Sequence, residues 1–237
     1  MTLEAIVLAG GFGTRLQGVV SDVPKSMALV NNRPFLEYLF DYLISQGIHK
    51  VVLSVGYKHE AIINHFADHY RSIGIDYAIE TEPLGTGGGI RNALWKIEGK
   101  QAFAMNGDTI FKVDYRAMLD FHLKKKADAT LALFKTKETA RFGLVNLDRT
   151  RRITGFIEKS AMAPPQGLIN GGVYIIEKIF LMEPEFRGRF SIEKDCFEKY
   201  MEDSRFYGFV SNGYFHDIGI PDDYKKAQDD FAAFENK

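Results

Sequence analysis

The chain has 237 residues, 46% of them hydrophobic and 26% charged, the composition of a soluble globular protein with one large domain or two small ones. Its 30 Lys and Arg against 31 Asp and Glu leave a net charge of −1, which excludes the strongly basic footprint of a nucleic-acid-binding domain. No apolar run approaches the roughly 20 residues of a membrane helix, and the single cysteine, Cys196, has no partner for a disulfide or a zinc site.

Met1-Thr2-Leu3-Glu4 has no basic n-region, so no signal peptide is expected and the cytoplasm is the expected compartment. Ala5-Ile6-Val7-Leu8-Ala9 is a short continuous apolar run closed by glycines, the pattern of a strand buried on both faces. Pro34 opens a helix with an apolar stripe of Phe35, Leu36, Leu39, Phe40, Leu43 and Ile44, stopped by Gly47. Val51–Val55 reads as a second strand, Glu60–Tyr70 as a second helix and Ile75–Ile79 as a third strand. Thr86 is the expected cap of a helix carrying Ile90, Leu94 and Ile97, and Ala102–Met105 is the fourth strand. Strand and helix in turn, with short connections, imply parallel pairing and a sheet covered on both sides.

The second half changes character. Ala129–Leu133 and Gly143–Leu147 are expected strands, Asp148-Arg149-Thr150 a turn and Ile153–Ile157 a hairpin partner. Gly172–Ile176 is a further strand, Ile192–Met201 a helix and Phe206–Val210 an outer strand. Pro221 starts a last helix with Asp222 and Asp223 in its first turn. The expected fold is a single mixed-sheet α/β domain over 1–237, with a nucleotide-binding part over about 1–112 and a second pocket from about 113–237.

Several segments carry chemistry. Leu8-Ala9-Gly10-Gly11-Phe12-Gly13-Thr14-Arg15-Leu16 places glycines just past the first strand, where backbone N–H groups can turn inward as an anion cradle. Leu16 replaces the third glycine of a dinucleotide fingerprint, and the second strand ends in Ser54-Val55-Gly56 without a ribose-binding acid. There is no Gly-Lys-Ser/Thr, so a P-loop is excluded as well. A tight connection explains two glycines equally well, but Arg15 at the loop's end turns the reading towards an anion site. Val23-Pro24-Lys25-Ser26-Met27 offers a second cation to the same anion, although a lone lysine is ordinarily a surface residue.

In Glu80-Thr81-Glu82-Pro83-Leu84-Gly85-Thr86-Gly87-Gly88-Gly89, glycines entering a helix are costly unless something large lies against the backbone. A base and ribose meet that need; a contact-free lid is the bland alternative. Met105-Asn106-Gly107-Asp108 puts an acid at the carboxyl end of a central strand, the edge at which open α/β sheets bind ligands. Phe215-His216-Asp217-Ile218-Gly219-Ile220-Pro221 brings another acid to a strand end, and Ile157-Glu158-Lys159 and Ile169-Asn170-Gly171-Gly172 complete the set.

Taken together and in this order, the segments resemble the sugar-1-phosphate nucleotidyltransferase family, whose signature is the glycine-rich loop with Pro-Lys. The resemblance covers essentially the whole chain. It implies a Rossmann-like three-layer sandwich with a mixed, mainly parallel central sheet, of the nucleotide-diphospho-sugar transferase type. Arg33–Tyr38, Leu53–Lys58 and Asp217–Tyr224 carry a narrower likeness to the branch that makes GDP-activated heptose. Ser26 departs from the pattern, since many relatives have a second proline there. The sequence stops one helix after Asp217, so the left-handed β-helix that several relatives append is not expected.

What the resemblance implies for residues follows the chemistry. Both substrates are anionic, so the protein must neutralise charge and hold oxygens in line, without a covalent intermediate. Arg15 would sit on the β/γ-phosphates and Lys25 near the α-phosphate, while Asp108 and Asp217 would hold Mg²⁺. Leu8, Ala9, Gly10, Gly11, Gly13, Thr14, Glu80, Pro83, Leu84, Gly85, Thr86, Gly87, Asn106 and Gly107 would form the nucleotide site. Gly143, Glu158, Lys159, Asn170 and Gly171 would take the sugar phosphate. His216 points away from Asp217 by strand alternation and is given a structural role. Glu193-Lys194 is a candidate for the sugar-phosphate pocket but reads better as a helix-surface pair.

Uridylyl-transferring relatives often carry a glutamine where Glu80 stands; a carboxylate only accepts, which suits the adjacent N1–H and N2 amino donors of guanine. Glu82 is an equal candidate, as are the backbone groups of Gly85–Gly88. The expected substrates are GTP and D-glycero-α-D-manno-heptose 1-phosphate, with uridylyl transfer and mannose 1-phosphate as rivals. A non-catalytic nucleotide-sugar sensor is the alternative of a different class, and the joint presence of Arg15, Lys25, Asp108 and Asp217 favours an enzyme. No nucleic-acid or membrane partner is expected, and a homodimer is compatible with the resemblance.

Overall fold

The N-terminal apolar run folds as β1 (Leu3–Leu8), with Ala5 and Val7 sunk in one core and Ile6 in a second core on the opposite face. The structure is a computed structural model that describes residues 3–11, 23–139, 143–157 and 164–235. After β1 come β2 (Leu29–Val30), β3 (Arg33–Pro34), α1 (Phe35–Ser45), β4 (Ile48–Val55), α2 (His59–Phe66), β5 (His69–Tyr70) and β6 (Ile73–Ile79). Next are α3 (Gly85–Leu94), β7 (Gln101–Asn106), β8 (Thr109–Phe111), α4 (Tyr115–Lys125) and β9 (Ala129–Thr136). The chain ends with β10 (Leu144–Leu147), β11 (Ile153–Ile157), β12 (Gly167–Glu177), α5 (Lys178–Leu181), β13 (Phe206–Ser211), β14 (Phe215–Asp217) and α6 (Pro221–Glu235).

At the centre of the sheet, β6, β4, β1 and β7 lie side by side in parallel. The first three strands run outward from β1 on one side, and β7 then crosses to the other. That reversal is a topological switch point, whose carboxyl edge opens a crevice for ligands. β12 pairs antiparallel with β7 and β9, β13 runs parallel to β9, and the β10–β11 hairpin attaches through Leu144 and Ile169. The sheet is therefore mixed, as expected. Apolar residues of α1, α2, α4 and α6 fill the core on one face; those of α3, α5 and Ile192–Phe197 fill the other. Among the described residues no helix is long and apolar enough to cross a membrane.

Local chemistry moved several expected boundaries. The second helix stops at Phe66, because Ala67 takes φ 49° and ψ −124° and the chain turns back. His69–Tyr70 then pairs antiparallel with β6, and the Tyr70 hydroxyl accepts from Arg33 at 2.7 Å. Residues Ile192–Glu198 form a π-helix, a pitch that apolar periodicity does not separate from an α-helix. β12 starts at Gly167 and carries Gly171 and Gly172 inside a bulge, where its pairing with β9 lapses between Asn170 and Tyr174.

Candidate active site

At the carboxyl edge of β1 and β7 lies a cleft of about 420 Å³, lined by Leu8, Ala9, Gly10, Gly11, Lys25, Ser26, Glu80, Pro83, Gly85, Thr86, Asn106, Asp108, Arg189 and Gly219. The strand ends beneath it are tied together: Ala9 N–H donates to the Ser54 carbonyl at 2.8 Å and Gly107 N–H to the Leu8 carbonyl at 2.9 Å. A Cβ on Gly10 would come within 3.1 Å of Gly56 N, so packing alone asks for glycine there. Gly11 differs. It lines the cleft, and among the described residues nothing lies within 4 Å of where its Cβ would be.

The charged centre is assembled outside the main sheet. β8 and β14 pair as a separate antiparallel ribbon with Asp217 opposite Thr109, and Ile218 N–H donates to the Asp108 carbonyl at 3.0 Å. The ribbon thus brings two acids from opposite halves of the chain to one point. Lys25 reaches them from a short 3₁₀ turn, Lys25–Met27, entered through Pro24. Its ammonium donates to Asp108 Oδ2 at 2.5 Å and stands 3.8 Å from Asp217 Oδ1. Asp217 Oδ1 also accepts from Gly219 N–H at 2.6 Å. A Cβ on Gly219 would fall 2.8 Å from Asp217 Oδ1 and 3.0 Å from Lys25 Nζ, so a side chain there would have to displace the tips of both charged groups.

Burial first, and then the Asp108 charge, push the Asp217 carboxyl above its ordinary range, against the pull of Lys25 and the Gly219 N–H. Two carboxylates that share one ammonium and still repel one another suit a hard divalent cation. Among the described residues no third metal-ligating side chain joins them. Phosphate oxygens and waters would complete the octahedron that Mg²⁺ demands, so the donor set fits that ion.

The glycines at the start of α3 answer largely to the protein itself. Gly85 has φ +72° and a Cβ there would lie 2.5 Å from the Phe190 carbonyl oxygen; a Cβ on Gly88 would lie 2.6 Å from that of Gly188. The Phe190 carbonyl accepts from Gly87 N–H at 3.0 Å and Gly88 N–H at 3.4 Å, while Phe190 N–H donates to the Leu84 carbonyl at 3.0 Å. Segment 188–190 therefore crosses the helix N-terminus and takes amides that an anion would otherwise use. Leu84, Gly87 and Gly107 stand behind the cleft wall, whereas Pro83, Gly85 and Thr86 remain in its lining.

Thr86 is not the cap, which falls at Leu84. Its Oγ1 accepts from Ile192 N–H at 2.9 Å and donates to Glu193 Oε2 at 2.9 Å. Glu193 is correspondingly not one half of a surface pair. It also accepts from the Ser191 hydroxyl at 2.9 Å and the Tyr174 hydroxyl at 3.1 Å, and Tyr174 accepts from Asn170 Nδ2 at 2.9 Å. One chain of hydrogen bonds thus joins the wall beside α3 to β12.

Glu80 faces the cleft with both oxygens anchored: Oε1 accepts from the Ser54 hydroxyl at 2.7 Å and Oε2 from Leu84 N–H at 3.0 Å. Glu82 is exposed and outside the lining. Asn170, Gly171 and Gly143 do not line the cleft either. Asn170 Oδ1 accepts from Gly172 N–H at 3.0 Å, and a Cβ on Gly172 would lie 2.7 Å from Asn106 Nδ2, which places the β12 bulge against the cleft's edge. His216 turns away, with Nε2 2.9 Å from the Asp223 carbonyl. Gly13, Thr14, Arg15, Glu158 and Lys159 lie outside the described residues. Arg189 is the lining residue that sequence reasoning passed over; it sits between short elements, where no periodicity marks it.

A family model described as nucleotidyl transferase matches residues 4–233. The chain is 50% identical over 226 residues, 95% of its length and 97% of the relative's, to a D-glycero-alpha-D-manno-heptose 1-phosphate guanylyltransferase of Aneurinibacillus thermoaerophilus. It is 40% identical over 222 residues, 94% of this chain and 97% of the other, to a protein of the same name from Campylobacter jejuni. Among solved structures it is similar to HddC from Yersinia pseudotuberculosis, at 36% identity and a TM-score of 0.87, over 97% of this chain and 100% of that one. A second structure of HddC is a complex with GMP-PN.

Proposed function

The chain belongs to the nucleotidyl transferase family, and we propose that it joins GTP to D-glycero-α-D-manno-heptose 1-phosphate, giving the GDP-sugar and pyrophosphate. The convergence of Lys25, Asp108 and Asp217 beside the open face of Gly11 carries the reading. The heptose guanylyltransferases that match it end to end support the choice of base and sugar. The sugar phosphate oxygen attacks the α-phosphorus as the bond to the bridging oxygen breaks and pyrophosphate leaves. Charge repulsion between the two anions is the main barrier, so fixed cations and in-line positioning supply the catalysis.

Lys25 is the point charge nearest the α-phosphate, and Arg15 offers a fork to the departing β- and γ-phosphates. Asp108 and Asp217 would hold Mg²⁺, which supplies further neutralisation of phosphate charge. Glu80 is held rigidly by Ser54 and Leu84, yet each oxygen keeps a lone pair for a guanine donor. By the family resemblance, Lys159 would meet the sugar phosphate, and Glu158 and Asn170 would take hydroxyls. This reading puts the enzyme in the cytoplasm, feeding capsule or lipopolysaccharide synthesis.

The test is pyrophosphate release from each of four nucleoside triphosphates with a panel of sugar 1-phosphates, with and without a chelator. GTP with the heptose phosphate should be the best pair, and activity should vanish in chelator. Faster turnover of UTP with a hexosamine phosphate would overturn the substrate reading, and undiminished turnover in chelator would overturn the metal.

A further inference from the structure

Ser26 is the residue of the cleft whose chemistry the reaction has left unused. It is 3% exposed, follows Lys25 in the same 3₁₀ turn and lines the cleft. Its hydroxyl is shielded from solvent and has no hydrogen-bond partner among the described residues. A buried hydroxyl without a partner weakens a fold, and native structures keep few of them. The turn does not need it: Met27 N–H bonds the Pro24 carbonyl at 2.8 Å and Ala28 N–H the Lys25 carbonyl at 3.0 Å, all through backbone.

We propose that Ser26 contacts the nucleotide: its hydroxyl donates to a non-bridging phosphate oxygen of the bound triphosphate. The inference rests on the function proposed above. Its neighbours set the ligand's chemistry, since Lys25 supplies a cation and Gly10 and Gly11 line the same cleft. A phosphate is an acceptor with no donor of its own, the partner that an unpaired hydroxyl lacks. Rotation about χ1 would turn Oγ towards the cleft that the residue already lines. The free protein bears an unmet donor, and the loaded protein satisfies it.

Ser26→Ala separates this from a structural role, because the two move stability in opposite directions. Without ligand, the variant's thermal midpoint should equal or exceed that of wild type. The calorimetric Kd for GTP should rise about tenfold to a hundredfold, the loss of one hydrogen bond to a charged acceptor. Guanosine, which has no phosphate, should bind both proteins alike. An unchanged Kd for GTP, a lowered midpoint, or guanosine weakened by the same factor would each overturn the assignment. Wild-type protein that binds GTP but turns nothing over would refute the proposed reaction while the Kd comparison still decides Ser26. Wild-type protein that binds no nucleoside triphosphate would refute both.

Discussion

Alanine placed at two glycines distinguishes space needed by the fold from space needed by a ligand. In α3, Gly88→Ala gains about 1 kcal/mol of helix propensity. The new Cβ, however, would stand 2.6 Å from the Gly188 carbonyl oxygen and 2.9 Å from Leu84 Cβ, far inside van der Waals contact. The carbonyl belongs to a backbone segment held by Phe190 N–H on the Leu84 carbonyl, so it cannot swing aside as a side chain would. Overpacking of this kind costs about 1–3 kcal/mol, and more where backbone must move. A net loss of about 1–2 kcal/mol lowers the thermal midpoint by about 2–8 °C in a chain of this size.

At Gly11 the added methyl meets nothing within 4 Å among the described residues, so the midpoint should hold to within about 1 °C. The KM for GTP should instead rise tenfold or more, because the methyl occupies the ligand's approach to the backbone. Differential scanning calorimetry and steady-state kinetics on the two variants read both quantities. Equal loss of stability in Gly11→Ala would show that the loop glycine serves the fold. A raised midpoint in Gly88→Ala would show that segment 188–190 does not press on the helix.

Glu80→Gln should cut the preference for GTP over UTP by about tenfold to a hundredfold, since the amide presents a donor where guanine needs an acceptor; unchanged selectivity would locate base reading elsewhere. Asp108→Asn and Asp217→Asn should each remove most of the activity, and the double variant should be little worse because one ion is lost in either case; multiplying losses would argue against a shared site. Burial holds the His122 imidazole below its ordinary 6.5 although Glu177 Oε1 lies 3.2 Å away. The unfolded chain therefore protonates first as pH falls, so the stability contributed by His122 is complete above about pH 6.5 and is lost below it. His122→Gln should flatten the fall in thermal midpoint between about pH 7 and 5, and an unaltered slope would exclude the residue as a source.

The central strands were legible because a continuous apolar run such as Ala5–Ala9 admits few other fates, and Asp108 was legible because it ends one of them. Lys25 and Asp217 were legible as motif members, but their meeting was not: it depends on a ribbon outside the main sheet. The glycines of α3 misled in their reason. They signal close approach correctly, yet sequence does not say whether a ligand or residues 188–190 make it. Arg189 and the inward turn of Glu193 were hidden for the same cause, since long-range packing decides which way a side chain between short elements faces. Ala67 ends a helix that its apolar pattern would continue, because aromatic packing of Tyr70 on Phe40 and Phe66 draws the chain back.

The pairing of β8 with β14 also fixes when the protein becomes competent. On the ribosome the parallel core and the Lys25–Asp108 contact can form while the strand bearing Asp217 is still unmade, for chains fold from the N-terminus as they emerge. The acid pair exists only once His216 aligns with Ile110, a pairing across 106 residues of chain whose closure entropy makes it slow to gain. Amide protection at Ile110 therefore times the meeting of the two acids, and on the function proposed above products cut short before β14, which lack Asp217, should be inactive however well their sheets have formed.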